Sequence, residues 1–111
     1  MSKADRIATT GWSEPAQMLA AVEQGSAFLK SLSHPTRLAI LCRLIEGPAH
    51  VRHLETLLSL PQAAVSKQLA RLRKAGLVAC RRDGRNVVYA ISDDRTARIV
   101  AMLHGEFCAA E

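Results

Sequence analysis

The stretch PQAAVSKQLARLRKAGLVACRRDGRNVVYAI, residues 61–91, changes its period half-way along. Up to Lys74, the apolar residues Val65, Leu69 and Leu72 recur at helical spacing, which predicts a helix with one apolar side. Gln62, Ser66, Lys67, Gln68, Arg71 and Lys74 fall mostly on its other sides, and Gly76 ends it. Beyond that glycine come two runs of β-formers, Leu77-Val78-Ala79-Cys80 and Val87-Val88-Tyr89-Ala90-Ile91. Asp83-Gly84 lies between them, the dipeptide that a tight hairpin turn favours. A helix with a polar outer face therefore runs directly into a hairpin with a basic tip.

Upstream, three more helices are expected. Ser13 is a candidate N-cap for the first, whose stripe is Met18, Val22, Gly25, Leu29 and Leu32, with Ala20, Ala21 and Ala27 small enough for another helix to approach closely. His34-Pro35 starts the second, because proline suits the first helical position and cannot continue an earlier helix. Leu38, Leu41, Cys42 and Ile45 then share one face until Gly47-Pro48. Val51, Leu54, Leu57 and Leu58 give a short third helix its expected buried side, and Ser59-Leu60-Pro61 breaks it. A last helix is expected from about Asp93 to Cys108, with two acids where the helix dipole favours them. Residues 1–12 show no periodic apolar pattern and read as a loose, flexible arm on which only Trp12 offers a docking group. The remaining residues, 13–110, read as one domain with candidate dimerisation helices at both ends. The class is mainly α with a small β-hairpin: four helices, two strands and a fifth helix, in the order of a winged helix-turn-helix.

Charge is distributed as unevenly as structure. The 111 residues carry a net +5, yet residues 62–86 alone hold Lys67, Arg71, Arg73, Lys74, Arg81, Arg82 and Arg85 against the single acid Asp83. Solvated surfaces usually mix both signs, so this block favours a polyanionic partner. An α-helix fits the major groove of B-DNA, so double-stranded DNA is that partner. Gln62, Ser66, Lys67, Gln68 and Arg71 are the candidates for base edges. Lys74 extends the basic helix face, and Arg81, Arg82 and Arg85, read as the hairpin tip, are the candidates for phosphate. One module binds weakly, so a homodimer reading two half-sites is expected, with the first and last helices left to pair.

Other classes find little support. There is no Cys-x-x-Cys pair, phosphate-binding glycine loop or recognisable nucleophile and base, which argues against an enzyme, and no cofactor is implied. No apolar run reaches the roughly 20 residues of a membrane helix, and the polar start lacks a secretion signal, so no membrane partner and a cytoplasmic location are expected. Cys42, Cys80 and Cys108 are an odd number, which fits free thiols better than a disulfide framework.

Leu32-Ser33-His34-Pro35-Thr36-Arg37-Leu38-Ala39-Ile40-Leu41, the run from Ala64 to Val78 and Arg81-Arg82-Asp83-Gly84-Arg85 together resemble the ArsR (ArsR/SmtB) family of bacterial repressors, from about Pro15 to Cys108. The resemblance implies a helical dimer with a winged hairpin that occupies operator DNA until an inducer weakens binding. Many members of that family sense metals through Cys-Val-Cys in the third helix, where this chain has His50-Val51-Arg52. Arginine cannot ligate a cation, so no metal ligands are assigned there. A second family site, on the last helix, is represented by Asp94 and His104 without a second pair, and His50 and His53 have ligand-like spacing. A zinc- or metalloid-responsive repressor, or a winged helix that binds only protein, is the alternative reading.

Cys42 in the second helix and Cys108 near the end of the last resemble the BigR and SqrR-like branch of the family. Members of that branch respond to reactive sulfur species or oxidants by linking two such cysteines. The resemblance implies that these two are the redox-sensing residues and that small sulfur species or oxidants are the inducer. Cys80 reads as packing or an incidental thiol.

Overall fold

The computed structural model describes residues 14–108; the expected arm over residues 1–12, the docking of Trp12 and the Ser13 cap lie outside the described residues. By its internal contacts the chain divides into two units, Met1–Lys30 and Ser31–Glu111. Most of α1 (Pro15–Leu32) belongs to the first. Of its expected apolar stripe Leu32 is buried, whereas Met18 at 39%, Val22 at 54% and Leu29 at 60% exposure are open, and Leu19 beside them is also exposed. An isolated helix of this length is marginal in water, and tertiary cover of its apolar face is what normally stabilises one.

The second unit holds the core. α2 (Pro35–Ile45) begins as expected, with Pro35 in the first turn and the Thr36 N–H donating to His34 Nδ1 at 3.1 Å. It buries Ile40, Leu41 and Leu44, while Leu38 and Cys42 are only half-buried. α3 (Val51–Leu58) buries Leu54 completely but leaves Leu57 at 52% exposure, against the sequence expectation for that side chain. Ser59, at φ 54° in the left-handed region, turns the chain out of α3, and Pro61 leads into α4 (Gln62–Lys74). α3, this turn and α4 are the helix-turn-helix. Val65, Leu69 and Leu72 of α4 are buried with Ile40, Leu41, Leu54 and Val100, which joins the helices into one core.

β2 (Val78–Asp83) and β3 (Asn86–Ile91) form the expected hairpin, with Gly84 at φ 65° in the two-residue turn. The sheet has a third strand that the sequence reading lacked. β1 (Ala49–His50) pairs with β3 through Ala49 opposite Tyr89 and His50 opposite Val88, giving the order β1-β3-β2. Gly47-Pro48 stops α2, and the two extended residues before α3 offer their backbone to the free edge of β3. Two residues are too few for an alternating pattern to announce a strand.

α5 (Asp94–Phe107) packs on α2 and β3. Asp93 caps it: Oδ2 accepts the Thr96 backbone N–H at 2.9 Å and the Thr96 hydroxyl at 2.6 Å. These hydrogen bonds hold the Asp93 carboxyl below the usual carboxylate range, so the stabilisation is present above the unfolded-state pKa and is lost as pH falls through the folded one. Asp93→Ala is accordingly expected to lower the melting temperature at pH 7. The gap from the parent protein should close below about pH 4, the range in which carboxylates protonate, as a thermal-melt series across pH would show.

Candidate functional site

Two constellations sit on this scaffold. The first is the outer face of α4 with the hairpin. Gln62, Ser66, Lys67, Arg71 and Lys74 are exposed, as α4's inward stripe leaves them. Gln62 and Ser66 line a polar cleft of about 350 Å³ with Arg52 and Glu55 of α3 and with Arg85, Asn86 and Tyr89 of the hairpin. The structure thus brings the start of the basic helix and the hairpin tip into the lining of one concavity. Arg52, Asn86 and Tyr89 were not among the sequence candidates; a basic residue at the start of the helix that precedes the turn was the available signal.

Two expectations need correction. Gln68 is buried, at 7% exposure, because positions 65, 68, 69 and 72 share one helical face; it lines the core with Val65, Leu69 and Leu72. Its Oε1 has no hydrogen-bond partner, and such a buried carbonyl costs about 1–3 kcal/mol. Gln68→Met should therefore raise the midpoint of urea unfolding and leave operator affinity within about twofold; a loss of binding would return Gln68 to the reading face. Second, only Arg85 lies in the hairpin turn. Arg81 and Arg82 are strand residues of β2, opposite Val88 and Val87, and successive strand residues point to opposite faces. Arg82 shares the face of Val87 and Tyr89, which line the cleft, whereas Arg81 lies on the other face and lines a small depression with Ala79 and Val88. Cys80 lies opposite Tyr89 and shares a hydrogen bond with it. Burial first, then this thiol, push the Tyr89 hydroxyl above its ordinary pKa.

The second constellation is the thiol pair. Cys42, on α2, and Cys108, which caps the C-terminus of α5, share a hydrogen bond and line one cavity of about 670 Å³. All three cysteines are unbridged. Burial, and then the neighbouring charge and hydrogen bond of Cys108, push the Cys42 thiol up, so it stays protonated at neutral pH. Cys108 is exposed. The two thiols are thus unequal: one is held as a thiol in the wall of the cavity, the other faces solvent at a helix end.

The histidines do not converge on a metal. His50 precedes α3 in β1, whereas His53 on α3 accepts a hydrogen bond at Nε2 from Arg43 Nε at 3.1 Å. Among the described residues no group of three or more His, Cys, Asp or Glu side chains is placed to hold a metal ion. Among them, too, no helix is long and apolar enough to cross a membrane.

A helix-turn-helix whose second helix has a basic outer face, followed by a hairpin with an arginine at its tip, defines a winged-helix DNA-binding regulator. Residues 34–79 match the profile of the arsR family of bacterial regulatory proteins. The chain is 41% identical over 83 residues, 75% of its own length and 71% of the relative's, to the biofilm growth-associated repressor of Agrobacterium fabrum. Among solved structures it is similar to the transcriptional repressor BigR from Xylella fastidiosa, with a TM-score of 0.81 and 35% identity over 88% of this chain and 97% of that one. Reduced HlyU from Vibrio cholerae is similar too, with a TM-score of 0.80 and 33% identity over 83% and 97%. The chain belongs to the ArsR/SmtB family of winged-helix transcriptional repressors and is BigR-like within it.

Proposed function

We propose that the chain is a homodimeric repressor that holds operator DNA while Cys42 and Cys108 are thiols, and releases it when they are joined through sulfur. The observation that carries the switch is the meeting of two cysteines from distant parts of the sequence, hydrogen-bonded in the wall of one cavity. Gln62, Ser66 and Arg71 meet base edges in this reading, and Lys67, Lys74, Arg82 and Arg85 meet phosphate. The open apolar residues of α1, with Met102 and Phe107 exposed on α5, supply the surfaces that a second copy covers.

The chemistry starts at the accessible thiol. Cys108, as thiolate, attacks the outer sulfur of a hydropersulfide R–S–S–H; the S–S bond breaks and R–S–H leaves, so that Cys108 becomes a persulfide. Cys42, giving up its proton, then attacks Cys108 Sγ and expels hydrogen sulfide. Both cysteines together lose two electrons, and the sulfane sulfur is reduced to sulfide. If Cys108 has first received a second sulfane sulfur, attack on the middle sulfur leaves a trisulfide instead. A peroxide reaches the plain disulfide through a sulfenic acid, with water or an alcohol as the leaving group. α2 carries the consequence inward, because the helix that bears Cys42 packs on α5, α3 and α4 at once. A bridge that shifts α2 against α5 changes the support of the reading helix and, in a dimer, the spacing of two such helices.

The test is the mass of the intact chain and of its Cys42–Cys108 peptides after inorganic polysulfide and after peroxide, read beside operator binding. A bridge that forms together with release supports the switch. Release without a bridge, or release by zinc or arsenite that survives replacement of both cysteines by serine, overturns it in favour of the metal-responsive reading.

A further inference from the structure

The cavity beside the thiol pair is larger than two sulfur atoms require. At about 670 Å³ it lies within the roughly 300–1,000 Å³ of small-molecule sites. Its walls away from the cysteines are mainly apolar, with Leu38 and Ala39 from α2 and Leu57 and Leu58 from α3, and the imidazoles of His53 and His104 also line it. Leu57 is the residue whose sequence spacing calls for burial and whose side chain is half exposed in this space. Beside the two histidines its polar lining is Arg43 and Glu46, and Arg43 is already engaged, its Nε donating to His53 and its Nη1 to the Gly47 carbonyl at 3.2 Å. A hydrophilic carrier of sulfur gains little from such walls, whereas an apolar one exchanges water for them on the way to the thiols.

We propose that this cavity binds the organic body of the inducer, an alkyl hydropersulfide, with its chain against Leu38, Ala39, Leu57 and Leu58 and its sulfane sulfur at Cys108. The proposal rests on the sulfur-switch reading and adds the class of carrier to it. Binding of the chain places the outer sulfur beside the attacking thiolate. The alkyl thiol is released in the first step, and Cys42 closes the bridge with loss of hydrogen sulfide.

The experiment measures the second-order rate of Cys42–Cys108 bridge formation, by quenched mass spectrometry of the full chain, with alkyl hydropersulfides of two to eight carbons and with inorganic tetrasulfide as the carrier-free reagent. Each methylene that enters the apolar walls should raise the rate up to about fourfold, the ratio that corresponds to burying one CH₂. Ala39→Trp, which fills the cavity, and Leu57→Glu, which charges its wall from an already exposed position, should each bring the eight- to two-carbon ratio below about threefold. Rates that do not depend on chain length, or a chain-length dependence that both variants preserve, overturn the proposal while bridging by tetrasulfide leaves the switch standing. If Leu57→Glu weakens self-association in sedimentation without altering the chain-length dependence, the cavity is a face between copies and the proposal fails. Absence of a bridge with every reagent overturns both readings.

Discussion

Cys42→Ser and Cys108→Ser are each expected to bind operator DNA within about twofold of the parent protein under reducing conditions and to lose the response to polysulfide entirely. Coupling between two sites in proteins is typically about 1–3 kcal/mol, so the parent should lose roughly 10- to 100-fold in affinity when the bridge forms, while both variants stay flat. Fluorescence anisotropy on a labelled operator, at fixed salt, reads this directly. Serine keeps the size and a hydrogen-bonding group at each position, so folding and the reduced state should survive; only the bond between α2 and α5 is removed. Because coupling is reciprocal, the thiols must sense DNA in turn. If the reduced form binds 10- to 100-fold more tightly, saturating operator should raise the midpoint potential of the disulfide couple by about 30–60 mV. A potential that does not move with operator, in a protein that still forms the bridge, would separate bridging from DNA release and end the account of the switch.

The reading helix and the hairpin were legible because each is announced locally. The change from helical spacing at Val65, Leu69 and Leu72 to a run of β-formers around Asp83-Gly84 needs no tertiary information. β1 was invisible because it consists of two residues whose strand character depends on the edge of β3. Gln68 shows a different limit: a polar residue was placed outside by its chemistry, although its position, three after Val65 and one before Leu69, puts it inside. Leu57 is the reverse, an apolar residue placed inside by its chemistry and left half open by the fold. The arginines of the hairpin look equivalent in sequence, and only the strand register separates Arg85 in the turn from Arg81 and Arg82 on opposite faces. The juxtaposition of Cys42 and Cys108 could not be read from spacing within either segment, since it depends on how α5 packs across α2; resemblance to known proteins, not periodicity, pointed to it.

Arg71→Ala combined with Arg85→Ala should weaken operator binding by a factor on the order of a thousand near physiological salt. The two side chains act from different elements, one on the exposed face of α4 and one in the turn between β2 and β3, so their losses should be largely independent. In a dimer the double variant removes four cationic contacts. Hydrogen bonds to charged groups contribute about 1.5–3 kcal/mol each, of which exposure to water and salt recovers part. The slope of log affinity against log salt should also flatten by about 2, since the dimer loses two Arg85 phosphate contacts and each accounts for about 0.9 of a released counterion. Arg81→Ala serves as the internal comparison. It removes the same charge from the face of β2 away from Val87 and Tyr89, so it should cost less than about threefold and leave the slope nearly unchanged. Net charge falls equally in Arg81→Ala and Arg85→Ala, so a general electrostatic attraction predicts equal losses, whereas a hairpin seated with α4 on one duplex predicts unequal ones. Equal losses from the two would mean that the basic segment attracts DNA without presenting a fixed surface to it, and the assignment of α4 and the hairpin tip as one reading face would have to be abandoned.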